Sequence, residues 1–187
     1  MTRPAGVRWP AAIVLLHWST AALVLATAGY GIYLLSPPDW SQRYLDRYEA
    51  GIGWHKIGGL TVLAFALCWI AVRARTRRPP LAAKGAMRGL VLGVHGLLLA
   101  LVILLPVCGY VMDSLAGHGI ALPAGVTIPP LLPRSDAVSM MLSYAHKWGG
   151  YALLGLAAFH IAGALRHALH PGDNTLRAML PRLAFRK

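Results

Sequence analysis

The sequence predicts an all-α protein that crosses a membrane four times. Three observations carry that reading. Of 187 residues, 57% are hydrophobic and 13% charged, and the mean hydropathy is +0.55, unlike a soluble globule of this size. Four segments are long and apolar enough to cross a hydrocarbon core, which needs about twenty residues of helix. The basic residues, finally, gather on one side of those segments.

The first span covers residues 10–35. Arg3 and Arg8 precede it as they would a signal peptide, but the apolar run is longer than a signal core, lacks a convincing small-x-small cleavage site followed by a mature domain, and carries His17. It reads as a span. The outer loop "SPPDWSQRYLDRYEAG" leads to the second span, residues 52–72, and the basic turn "RARTRRPPLAAKGAMR", broken by Pro79 and Pro80, to the third, residues 87–112. Pro106 lies inside that third span and should bend it, which neighbouring helices tolerate in a membrane. The Pro-rich loop "HGIALPAGVTIPPLLPRSDA" leads to the fourth span, roughly residues 144–165, and residues 166–187 form a basic tail with room for an interfacial turn of helix. With no internal repeat or low-complexity stretch, residues 1–187 read as a single membrane domain.

A net charge of +12 suggests nucleic acid only if its distribution is ignored. Thirteen of the eighteen basic residues lie at the N-terminus (Arg3, Arg8), in the turn between spans two and three (Arg73, Arg75, Arg77, Arg78, Lys84, Arg88) and at the C-terminal end (Arg166, Arg177, Arg182, Arg186, Lys187). Asp173 alone opposes them there. On the other side Arg43, Arg47, Lys56, Arg134 and Lys147 are balanced by Asp39, Asp46, Glu49, Asp113 and Asp136. That asymmetry is the positive-inside pattern for two cytoplasmic termini, with anionic lipid headgroups rather than nucleic acid as the partner of the surplus. Cys68 and Cys108 fall inside spans and read as buried structural cysteines. No C-x-x-C-H motif is present, so any haem is held without a covalent thioether.

Five of the eight histidines fall within the spans: His17, His55, His95, His146 and His160. Ionisable groups at membrane depth are costly, and each is a functional candidate. His146 and His160 bracket the run "HKWGGYALLGLAAFH", within roughly 40° of one helix face and about 21 Å apart. His17, about 9 Å from the inner end of span one, matches the depth of His160, while His55 and His146 each open a span on the outer side. An inner pair, His17 with His160, and an outer pair, His55 with His146, each bridge two helices. Facing imidazoles at one level are what a bis-histidine haem requires, and neither pair has the nearby Cys, Asp or Glu that a tetrahedral metal would want. Gly58, Gly59, Gly149 and Gly150 lie about a turn beyond the outer pair and serve either a flat ring or plain helix packing. His95, near the inner end of span three, competes with His17 for His160, or contacts a quinone or a propionate. His167 sits seven residues beyond His160, near the inner headgroups, as a further quinone or propionate contact, whereas His118 and His170 read as solvent-facing. Lys56 and Lys147 each follow an outer histidine directly, and with Arg134 they are candidates for pairing propionates or steering an anion.

"LLHWSTAAL" in span one, "GWHKIGGLTVLAFALCWIAVR" in span two, "VHGLLLALVILLPVCGYVM" in span three and "AHKWGGYALLGLAAFHIAGALRHAL" followed by "DNTLRAMLPR" resemble the prokaryotic cytochrome b561 family. The resemblance covers all four spans and the tail. It implies a transmembrane antiparallel four-helix bundle in a bacterial inner membrane, with two noncovalent haems b ligated by His17 with His160 and by His55 with His146. It further implies oxidation of superoxide at the outer face, ubiquinone as electron acceptor, and a quinone-side contact at His167. The outer loops depart most from the family pattern, which leaves the donor open. A second reading, from another functional class, is a membrane-anchor cytochrome b that passes electrons between a soluble redox partner docked on the outer loops and the quinone pool. A haem-free transporter is poorly served, because the spans offer no other ionisable interior residues for an ion path.

Overall fold

A computed structural model describes residues 9–36, 41–76, 85–122, 125–169 and 175–180. Within them the chain forms the helices α1 (Ala11–Leu34), α2 (Gln42–Ala74), α3 (Gly85–Leu115), α4 (Asp136–Leu169) and α5 (Thr175–Ala178), and a short ribbon of β1 (Ile120–Ala121) and β2 (Thr127–Ile128). The first four helices are long and apolar enough to cross a membrane. Arg3, Arg8, Asp39, Arg77, Arg78 and Lys84, the proline pair at 79–80, and His170, Asp173, Arg182, Arg186 and Lys187 in the tail lie outside the described residues.

Spans two, three and four lie inside helices and α1 occupies all but the two end residues of span one, but two helices run well past their apolar segments. α2 begins at Gln42, so most of the stretch expected as outer loop is helical. The Ser41 hydroxyl caps it by accepting from the Tyr44 N–H at 3.2 Å, and Gln42 donates to Asp46 one turn on at 2.7 Å. α4 likewise begins at Asp136, whose carboxylate faces the positive end of the helix dipole. Hydropathy reports where the solvent changes, not where the backbone stops being helical. α3 continues through Pro106.

The Pro-rich loop is more ordered than its composition suggests. Ile120 stands opposite Ile128 and Ala121 opposite Thr127, with Gly125 supplying a positive φ of 75° where the chain returns. The fully buried Ser114 near the end of α3 ties the loop down, its hydroxyl accepting from the N–H groups of Leu131 and Leu132 at 2.8 and 3.0 Å.

α1 packs chiefly on α2 and α3 on α4, while α2 and α3 join the two hairpins; of the four adjacent pairs, α1 and α4 meet least. The result is an antiparallel four-helix bundle. Its buried centre consists of Val24, Val62 and Leu153, with Leu98, Leu101, Val102 and Leu105 of α3 against them. Seven residues make nearly two helical turns, returning to the same face within about 20° after a climb of about 10.5 Å. One such step from the central residues reaches His17 or Gly31 on α1, His55 or Trp69 on α2, His95 or Gly109 on α3, and His146 or His160 on α4. The bundle is therefore registered in three layers, with the apolar one between two that carry histidines.

The cysteines differ from the sequence expectation. Cys68 is exposed on the helix surface, and Cys108 is half-buried with its thiol directed at the Leu142 carbonyl at 3.6 Å. In a bilayer an apolar position faces lipid as readily as it faces the interior, so span membership does not imply burial inside the protein.

Candidate functional site

At the end of the bundle nearer the β ribbon, His55 of α2 and His146 of α4 stand with ring centroids 6.1 Å apart and planes at 86°. Each ring is held from behind by the other helix of its own hairpin. His55 Nδ1 donates to the Thr27 carbonyl of α1, and His146 Nδ1 to the Leu105 carbonyl of α3, both at 3.1 Å. A carbonyl can only accept, so Nδ1 carries the proton and Nε2 keeps its lone pair. This is the tautomer of a histidine that binds metal through Nε2.

At the opposite end, His17 of α1 and His160 of α4 stand 6.3 Å apart with planes at 65°. His17 also meets the edge of Trp18 at 5.5 Å. A third imidazole joins this layer: His95 of α3 lies 4.9 Å from His160 at 86°, its Nδ1 donating to the Val91 carbonyl at 2.6 Å. Four of the five rings are half-buried, and His95 is exposed. The two pairs expected from depth are thus juxtaposed, and His95 crowds the first.

The three candidate cations differ in their partners. Lys56 Nζ lies 2.8 Å from Asp113, tying α2 to α3, and His118 adds its Nδ1 at 3.6 Å while remaining largely solvent-exposed. Arg134 forks onto Asp136 at 2.9 and 3.3 Å on the surface, and that carboxylate holds its guanidinium above its ordinary value. Lys147 is exposed and makes no hydrogen bond or ion pair among the described residues. His167, in the last turn of α4, is half-buried.

The model for prokaryotic cytochrome b561 matches residues 8–182. The chain belongs to the prokaryotic cytochrome b561 family. It is accordingly a multi-pass membrane protein of the haem b, electron-transfer kind. No curated protein matches it.

The residues of this b561 cytochrome fit the group that the family implies. An imidazole nitrogen binds a first-row metal at about 2 Å, so two rings sharing one ion through their Nε2 atoms have centroids roughly 6 Å apart. Both pairs meet that spacing, and one bond to each ring would leave their mutual twist free. His95 and His160, at 4.9 Å, stand closer than that spacing. The glycines noted in the sequence divide in function. A Cβ on Gly58 would meet the Thr27 side chain at 2.7 Å and one on Gly149 would meet Leu105 at 2.7 Å, so these two serve helix packing. A Cβ on Gly59 would meet Pro106 Cβ only at an ordinary 4.0 Å, and Gly150 faces open space.

Two polar groups escaped the sequence reading. Trp69 Nε1 and Thr20 Oγ1 are buried without a hydrogen-bond partner among the described residues, on the helix stretches that carry the His17 layer. The seven-residue spacing from His55 through Val62 to Trp69 was the available signal. The tail also docks beside this layer: Trp18 Nε1 donates to the Met179 carbonyl at 2.6 Å and the Trp9 N–H to Ala178 at 3.4 Å, with the Arg73 guanidinium over the Trp9 ring at 4.5 Å.

Proposed function

We propose that this b561 cytochrome holds two haems b, His17 with His160 near the cytoplasmic face and His55 with His146 near the outer face, and carries electrons from superoxide to ubiquinone. The observation behind the reading is the presence of two imidazole pairs, at opposite ends of one bundle, each at the spacing of axial ligands on a single iron. Haem b supplies a reversible one-electron couple at iron. The protein's part is to hold and insulate. Hydrogen bonds from Nδ1 to Thr27 and Leu105 aim the outer Nε2 atoms and raise their basicity. The layer of Val24, Val62, Val102 and Leu153 keeps water from the space between the two levels. His17 is assigned as the inner partner of His160, because the 4.9 Å separation of His95 from His160 is too short for that role. His95 and His167 are left as quinone or propionate contacts.

The orientation follows from charge: the end carrying Arg73, Arg166 and Arg177 faces the cytoplasm, and the β ribbon faces outward. Lys147, exposed and without a carboxylate partner among the described residues, is the cation best placed to draw an anionic donor to the outer layer. A visible spectrum of the purified chain with a haem-to-protein ratio is the decisive test, and two low-spin haems b are expected. His55→Ala and His146→Ala each lose the same haem, and His17→Ala and His160→Ala the other. Loss of the second haem in His95→Ala but not in His17→Ala would overturn the inner pairing. Rapid haem reduction by superoxide with turnover on added ubiquinone supports the donor and acceptor; no reaction, with a redox protein co-purifying, would favour the membrane-anchor reading.

A further inference from the structure

The two outer histidines are seated by the same device on two different helices. His55 donates to the carbonyl of Thr27 on α1, and the residue four positions along, Gly31, lies under its ring. His146 donates to the carbonyl of Leu105 on α3, and the residue four positions along, Gly109, lies under its ring. The recurrence has a geometric cause. In an α-helix the carbonyl of one residue points at the N–H of the fourth residue on, and the Cβ of that fourth residue tilts back over the same carbonyl. A flat imidazole from a neighbouring helix can lie close over such a carbonyl where that Cβ is missing. A Cβ on Gly31 would come within 2.8 Å of His55 Cε1 and 3.1 Å of its Nδ1; on Gly109 it would come within 3.1 Å of His146 Cε1 and 3.5 Å of its Nδ1. Neither neighbour is a flexible chain end, because each imidazole is fixed by its hydrogen bond.

We propose that Gly31 and Gly109 are positioning residues for the outer ligand pair, each exposing one helix carbonyl so that an imidazole is locked with Nδ1 protonated and Nε2 directed at its partner. The proposal rests on the two-haem reading. Among the described residues the His17 layer has no such seat: in the same register His95 and Trp69 occupy α3 and α2, and His95 satisfies its Nδ1 on its own helix. The outer and inner pairs are therefore built differently, one gripped by neighbouring backbone and the other packed among aromatic rings.

The experiment compares holoprotein carrying Gly31→Ala, Gly109→Ala or Gly29→Ala. Gly29 lies on the same helix as Gly31 with open space where its Cβ would go, and serves as the control. Readouts are the haem-to-protein ratio, the low-temperature electron paramagnetic resonance signal of each oxidised haem, and the reductive titration. Gly31→Ala and Gly109→Ala are each expected either to halve the haem content or to shift the resonance and midpoint of the outer haem alone, with Gly29→Ala matching the parent. Unchanged signals in both variants would overturn the proposal. So would loss of both haems or of the inner one, since the glycines would then serve general bundle packing. A parent protein without two haems refutes the underlying reading instead, and the two failures are distinguishable.

Discussion

At the scale of single residues, what separates the candidate side chains is what each already touches. Lys56 and Lys147 look equivalent in sequence, each one position after an outer histidine, yet Lys56 is committed to Asp113 while Lys147 stands exposed. A paired lysine presents little net field, so the proposed function assigns steering to Lys147. Lys147→Glu is expected to slow haem reduction by superoxide about tenfold at low ionic strength, with the difference shrinking as salt screens it. Stopped-flow rates across a salt series check this, and an unchanged rate would remove Lys147 from the path of the donor. The histidines were legible because imidazole in an apolar run is conspicuous. Gly31 and Gly109 were not, because a glycine reveals its purpose only when the neighbouring helix delivers a ring to it.

At the scale of elements, the bundle depends on registration between helices. Val62 and Leu153 lie midway along the faces that carry the histidines of α2 and α4, and Val24 matches them on α1. Inside a membrane such contacts gain packing rather than escape from water, so shape complementarity carries the association. Truncating Leu153 to Ala opens a cavity where helices converge and is expected to cost about 2 to 5 kcal/mol. Thermal unfolding in detergent, followed by haem absorbance, measures it. The spectrum at low temperature should stay that of the parent, since Leu153 lies about 10.5 Å along α4 from either histidine. Helix ends were the least legible feature of the sequence. The caps and side-chain pairs at Ser41, Gln42 and Asp136 extend α2 and α4 beyond their apolar runs, and no hydropathy window registers them.

At the scale of the whole molecule, the asymmetry of charge and the asymmetry of structure coincide. The basic end gathers α5 and Trp9 around Trp18, while the other end bears the ribbon and the Lys56–Asp113 tie. Orientation can be read by thiol labelling in a variant with Cys68 and Cys108 replaced by Ala. Val126→Cys, 57% exposed in the parent beside the ribbon, is expected to react with a membrane-impermeant maleimide in intact spheroplasts. Arg177→Cys is expected to react only after permeabilisation, and the reverse pattern would invert the topology. The sequence by itself determined the solvent, the number of spans and the depth of each histidine, because transfer into hydrocarbon and a fixed rise per residue act locally along the chain. Only the tertiary structure decided which groups meet: that Thr27 and Leu105 lend their carbonyls to His55 and His146, that His95 crowds His160, and that Asp113 occupies Lys56. Those contacts depend on how each helix is rotated against its neighbour, and rotation is set by packing between faces that hydropathy cannot tell apart.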